Sequence, residues 1–338
     1  MSSNTDVDRA LGTLFGVAFG DAMGLPTEFF TFEQIKQRWP PSGPTDLSGQ
    51  PAYVTDDTQM TIAVGEALVH SLTENSLNPA DFEWALRREF VNWLRSPDNN
   101  RAPGRTCMTA CERLEDGDTW LDATVVQSKG CGANMRVAPA AFVHADVRAP
   151  IAQFQAALTH GHPTALAASD LTAFAVASLA EGALPDSLIS ELRAYALSQR
   201  STYHAEWLGG LWSKAGASSP ETFISTGWDE CLETLTRVEE AVRSLGDEVD
   251  PCIATGDGWV AEEALATGLL CFLVHQEDPR ATVCRAATTR GDSDSIASIA
   301  GALAGAYLGI DAWPKDWIER IEYGEQIERI ARAFAIID

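Results

Sequence analysis

Apolar residues recur at helical spacing along almost the whole chain. Leu11, Leu14, Phe15, Ala18 and Phe19 make one such stripe, and Phe82, Leu86, Phe90, Trp93 and Leu94 make another. Steps of three and four place these side chains on one helix face, whereas a half-buried strand needs alternation. Period-two alternation is almost absent, so the pattern predicts an all-α protein of about a dozen helices. Asp8 reads as the cap of the first helix, which is expected to break at Gly20-Asp21-Ala22-Met23-Gly24. Asn78 and Pro79 read as a cap and first-turn pair. Further helical runs are expected over 106–114, 164–181, 185–198 and 229–245, from Val260 to about His275, from Pro279, and from Gly291 to Leu308. Residues 36–53 hold several prolines and glycines and read as loop. Gly12, Gly16 and Gly20 share one face, which implies close packing against another helix. No linker interrupts the pattern, so residues 1–338 are expected to form a single compact multi-helix domain.

Two stretches break the apolar rhythm with acids. Val54-Thr55-Asp56-Asp57-Thr58 stands at the mouth of an apolar helix. Far away, Gly291-Asp292-Ser293-Asp294-Ser295 opens another that is rich in glycine and alanine. Buried carboxylates must be neutralised, and a helix N-terminus is a weak match for two full charges. Carboxylate and hydroxyl oxygens suit magnesium, calcium or manganese. The second stretch is not an EF-hand loop, since no glycine or closing glutamate follows at the required positions. Taken singly, each cluster reads as a helix cap. Their shared Asp-plus-hydroxyl layout predicts that they meet and hold one or two cations together. Asp21 and Glu28 flank the first helix break; a solvated loop acid is the plain reading of each, and chemistry alone favours it for Asp21.

Ser128-Lys129-Gly130-Cys131-Gly132-Ala133-Asn134-Met135-Arg136 is a second candidate binding stretch. Closely spaced glycines let backbone approach a ligand, and Lys129 and Arg136 are basic residues in an acidic chain. A tight turn is the plainer reading. His160 and His162 lie between two helical runs, where a metal-binding pair and solvated loop residues are the alternatives.

Composition narrows the partners. The chain has 48 acidic against 24 basic residues, a net charge of −24. Such a field argues against nucleic-acid binding. Seven cysteines show no zinc spacing, and Cys107 and Cys111 fall on one helix face as core residues, as expected in a reducing cytoplasm. The polar N-terminal residues do not read as a signal peptide, and no run of about twenty residues is purely apolar, so no membrane span is expected.

These residues resemble, in order along most of the chain, the ADP-ribosylglycohydrolase family, which includes dinitrogen-reductase-activating and ADP-ribosylarginine hydrolases. The matching segments are Gly20-Asp21-Ala22-Met23-Gly24 with Glu28; Thr55-Asp56-Asp57-Thr58; Arg101-Ala102-Pro103-Gly104; Gly130-Cys131-Gly132 through Met135-Arg136; Thr159-His160-Gly161; and Gly291-Asp292-Ser293-Asp294-Ser295. The resemblance implies a binuclear centre of two divalent cations, usually magnesium and sometimes manganese. Its ligands would be Thr55, Asp56, Asp57, Asp292, Asp294 and Ser295, the last a threonine in many members. It further implies that Gly130, Gly132, Asn134, Met135, Arg136 and His160 border the ADP-ribose, and that Glu28, Asp56 and Asp57 are the catalytic carboxylates. Some members carry an aspartate where Ser128 stands, so that position is not the acid here, and Thr288-Thr289-Arg290 replaces a run that commonly holds asparagine. The activity implied is hydrolysis of the bond between ADP-ribose and a modified side chain, arginine first and serine or a small conjugate as the alternative. The implied partner is an ADP-ribosylated protein. An immunity-type protein that blocks an ADP-ribosylating toxin is the reading from another functional class.

Overall fold

Helices account for nearly all the regular structure in the computed structural model, which describes residues 4–246 and 248–337. Among the described residues β-structure is limited to four isolated bridges. The helices that frame the site are α1 (Asn4–Gly24), α2 (Asp56–Thr73), α3 (Pro79–Leu94), α4 (Ala145–Ala157), α5 (Pro163–Ala180), α6 (Pro220–Ser244), α7 (Ala261–Val274), α8 (Ser293–Leu308) and α9 (Gly324–Ile337). They enclose one continuous apolar core, in a single compact domain.

The axis of the molecule is the pair α1 and α8. A Cβ added at Gly12, Gly16 or Gly20 would lie 2.5, 2.2 and 1.9 Å from the carbonyl oxygens of Gly305, Gly301 and Ala297. No side chain fits those gaps, so the four-residue glycine spacing sets the approach of the two backbones. Gly24 continues the series, with Asp294 Cα 2.4 Å from its missing Cβ. The first helix therefore runs one turn further than its glycine-rich end suggests, and it carries the Asp21 region onto the start of α8.

Other boundaries follow the caps. Asn78 accepts from Asp81 N with Pro79 in the first turn of α3. Asp8 is no cap: it lies inside α1, and its Oδ1 accepts from Ile310 N. Phe32–Arg38 is a short helix capped by Thr31, so the expected loop begins later than residue 36. Ser219 caps α6, which begins at Pro220, nine residues ahead of the expected 229. The α5 helix is apolar and long enough to cross a membrane, yet 83% of it is buried inside this fold, where it serves as a core helix. All seven cysteines are free, with Cys107 and Cys111 both buried.

Candidate metal centre

Two helix N-termini deliver the acids. Thr55 is the N-cap of α2 and accepts from Asp57 N, which places Asp56 and Asp57 in its first turn. Asp292 is the N-cap of α8, with Asp294 one residue inside the helix. The positive ends of both helices favour anions there. Thr27 donates to Gly24 O and to Ser293 Oγ, so the loop after α1 is tied to the same helix start.

The two distant segments converge. Carboxylate oxygens of Glu28, Asp292 and Asp294 lie within 4.8 Å of one another. Ser295 Oγ donates to Asp57 Oδ1 at 3.4 Å, across 238 positions of sequence. Asp294 also receives a hydrogen bond from Thr55. Asp56 Oδ2 accepts from Gly104 N at 3.1 Å, which joins the Arg101–Gly104 segment to the cluster.

Asp21 holds the arrangement from behind, and the solvated-loop assignment is overturned. Its side chain is fully buried and accepts from Thr55 N at 2.9 Å, Thr58 N at 3.0 Å and Thr58 Oγ1 at 2.6 Å. Its position one residue past Gly20, inside the α1 contact stripe, is the sequence signal for this burial. Arg101 fixes the approach to α2 by bonding Val54 O and Glu322.

The electrostatics are lopsided. Burial, then Asp294, pushes the Asp21 carboxyl up to about 7. Burial raises Asp56 to about 7, with Asp294 and Asp21 adding to it. Glu28 rises to about 9, again through burial first and then Asp294, Asp56 and Asp21. Burial and the surrounding acids hold Asp57 and Asp292 well above the usual carboxylate range, and burial raises Asp294. No salt bridge among the described residues reaches any of the six. Basic groups on the adjoining segments are committed elsewhere: Arg101 to Glu322, Lys129 to Glu230 and Glu262, and Arg290 to Asp257. Asp57 Oδ2 is enclosed and has no hydrogen-bond partner. An all-oxygen donor set, an orphaned carboxylate oxygen and the lack of a basic counter-charge fit hard divalent cations.

The glycine loop borders this cluster, but its residues divide into two groups. Gly130 and Gly132 keep partial exposure. Their missing side chains make room for packing: a Cβ at Gly132 would lie 2.7 Å from Cys107 Sγ and 3.1 Å from His160 Cε1. Met135 Sδ lies 3.9 Å from Ser295 Oγ, beside the acids. Asn134 points inward and donates to Ala261 O. Arg136 does not border a ligand as expected. It is wholly buried, donates to Gln155 and Thr159 Oγ1, and lies 4.4 Å from the Phe90 ring centroid. Lys129 is spent in its two carboxylate contacts, so neither base is free for phosphate. His160 is buried, pairs its Nδ1 with Thr159 Oγ1, and is kept neutral by burial and by Arg136. His162 instead caps α5, so the two histidines do not form a metal pair. Two isolated bridges, Val125 to His160 and Gly130 to Val260, fix the loop against its neighbours.

A helical fold with a buried acid cluster at two helix starts is the class of protein this site defines. The sequence profile of the ADP-ribosylglycohydrolase family matches residues 2–338, and the chain belongs to that family. It is 27% identical over 332 residues to an ADP-ribosyl-[dinitrogen reductase] glycohydrolase of Rhodospirillum rubrum, covering 96% of this chain and 93% of the relative. It is 25% identical over 368 residues to the ADP-ribosylhydrolase ARH3 of Mus musculus, covering 98% and 92%. Against the ADP-ribosylarginine hydrolase Tri1 of Serratia proteamaculans it is 24% identical over 343 residues, covering 96% and 78%. A solved structure described as an ADP-ribosylglycohydrolase-related protein complex shares the fold, with a TM-score of 0.69 at 23% identity over 99% of each chain.

Proposed function

We propose that this protein is a divalent-metal-dependent hydrolase that releases ADP-ribose from modified arginine side chains. The observation that carries the reading is the meeting of the Glu28, Asp292 and Asp294 oxygens within 4.8 Å, next to an unpartnered Asp57 oxygen. Thr55, Asp56, Asp57, Asp292, Asp294 and Ser295 would hold two cations, magnesium or manganese. When bound, these would supply Lewis-acid charge that retains the ribose hydroxyls near its anomeric carbon.

The chain's own groups would do the proton work. Asp56 and Asp57 are the candidates for taking a proton from water as its oxygen bonds to the anomeric carbon. The carbon–nitrogen bond breaks with its electron pair passing to the guanidine. Glu28, half-buried beside Asp292 and Asp294, is the group placed to carry a proton to that nitrogen. The surplus negative charge favours an oxocarbenium-like transition state. Gly130, Gly132 and Met135 would border the ADP-ribose, with Asn134, Arg136 and His160 setting the loop from behind.

Arginine is preferred because two of the named relatives are a dinitrogen reductase glycohydrolase and an ADP-ribosylarginine hydrolase. Release of ADP-ribose from arginine- and serine-modified peptides, with magnesium and with EDTA, tests this. The reading expects magnesium-dependent release from the arginine peptide. Turnover that resists the chelator, or full activity in Asp57→Ala, would overturn it. The net charge of −24 also suits a basic partner such as an ADP-ribosylating toxin. Protection against a toxin that survives Asp57→Ala would favour that capping role.

A further inference from the structure

A cavity of about 320 Å³ opens at the far end of α1 from the acidic cluster. Arg9, which lines it, stands twelve residues before Asp21 on the same helix, roughly 18 Å along the axis. The other walls come from the segment ahead of α4, from α4 itself, from the end of α5 and from α9. Phe142 and Phe334 form an apolar side, their ring centroids 6.0 Å apart. Two of the chain's few basic residues, Arg9 and Arg148, share this space.

Each guanidinium keeps one enclosed nitrogen without a hydrogen-bond partner. Arg9 Nη1 is enclosed, has no hydrogen-bond partner, and Arg9 makes no salt bridge among the described residues. Arg148 spends one nitrogen on Glu181 Oε1 at 2.8 Å, yet its Nε is enclosed and unpartnered. Its side chain is only 14% exposed. Both guanidinium groups line the cavity and Arg9 carries no counter-charge among the described residues, so an acceptor entering it meets two cations, and charge-assisted hydrogen bonds are the strong ones. The carboxylates at the edge, Asp6 and Glu181, disfavour a ligand of high negative charge.

We propose that this cavity binds a small organic anion bearing a ring, its acidic group held between Arg9 and Arg148 and its ring against Phe142 and Phe334. The volume lies at the lower end of small-molecule sites, which limits the ligand to about the size of a nucleoside monophosphate. A carboxylate and a phosphate ester meet the same requirement.

Benzoate and phenyl phosphate are suitable probes, with benzyl alcohol and inorganic phosphate as controls. Calorimetric titration of the full-length protein is expected to detect binding of at least one ring-bearing anion, and weaker or no binding of both controls. The stronger of the two probes assigns the acidic group. Arg9→Gln removes a side chain that makes no salt bridge, so the fold is expected to survive, and affinity is expected to fall about tenfold or more. Arg148→Gln is expected to do the same, with intact folding checked by circular dichroism. The proposal fails if neither anion binds, if benzyl alcohol binds as well as benzoate, or if both variants keep wild-type affinity.

Discussion

Asp21 and Asp57 show how differently two buried carboxylates can be used. Asp21 spends its oxygens on Thr55 N, Thr58 N and Thr58 Oγ1, whereas Asp57 keeps one oxygen unpartnered. Asp21→Ala is expected to cost about 3 kcal/mol in urea unfolding, because it strands buried donors at the start of α2. Thr58→Val, which removes a single hydroxyl partner, is expected to cost about 1 kcal/mol. Proton linkage gives a second test. The carboxyls of Asp21 and Asp56, each raised to about 7, and of Glu28, raised to about 9, lie above their unfolded values. At these sites the metal-free folded state therefore holds more protons than the unfolded chain, so their contribution to stability is full below about pH 4 and is lost as pH rises through 7 to 9. In EDTA, unfolding free energy is expected to fall between pH 5 and pH 8. With saturating magnesium the slope is expected to reverse, since cations bind the ionised carboxylates. Equal slopes under both conditions would contradict the assignment.

Among the elements, α1 and α8 carry the most consequence. Glycines recurring every four residues announced a close helix contact, and the contact exists, but its partner could not be read. Nothing local in α1 names Gly301, Gly305 or Ala297. Gly16→Ala pushes a methyl group against Gly301 O and is expected to cost about 1–3 kcal/mol, measured by denaturant titration. Gly20→Ala is expected to lower cation affinity as well, because Ala297 lies in the first turns of the helix that presents Asp294. The same limit explains the two side chains that sequence misplaced. Asp21 reads as a loop acid and Arg136 as a ligand base because charge usually seeks solvent. Their burial depends on distant partners, Thr55 and Thr58 for one, Gln155 and Phe90 for the other. Helical runs are legible because periodicity is local; the expected start of α6 falls too late, although Phe223, Ile224 and Trp228 already lie on its buried face.

Across the whole molecule, the fold brings residues near position 56 and residues near position 293 to one place through the α1–α8 axis. Under the proposed function, cations joining both segments would act as a clasp between distant parts of the chain. Binding to the native state alone raises stability with concentration, by roughly 3 kcal/mol at a hundredfold excess over the dissociation constant. The negative field of a chain with charge −24 is expected to act on substrates too. ADP-ribosylated peptides with basic flanks are expected to show higher kcat/KM than acidic ones at low ionic strength, with the difference shrinking as salt is added.

Manganese titration of the wild-type protein, Asp57→Asn and Asp294→Asn, followed by calorimetry, tests the joint site most directly. The two substitutions lie at opposite parts of the sequence, so a shared centre predicts that each one weakens the same binding event. Wild-type manganese affinity and stoichiometry in either variant would show that its carboxylate has no part in the site, and the account of a common centre would fail.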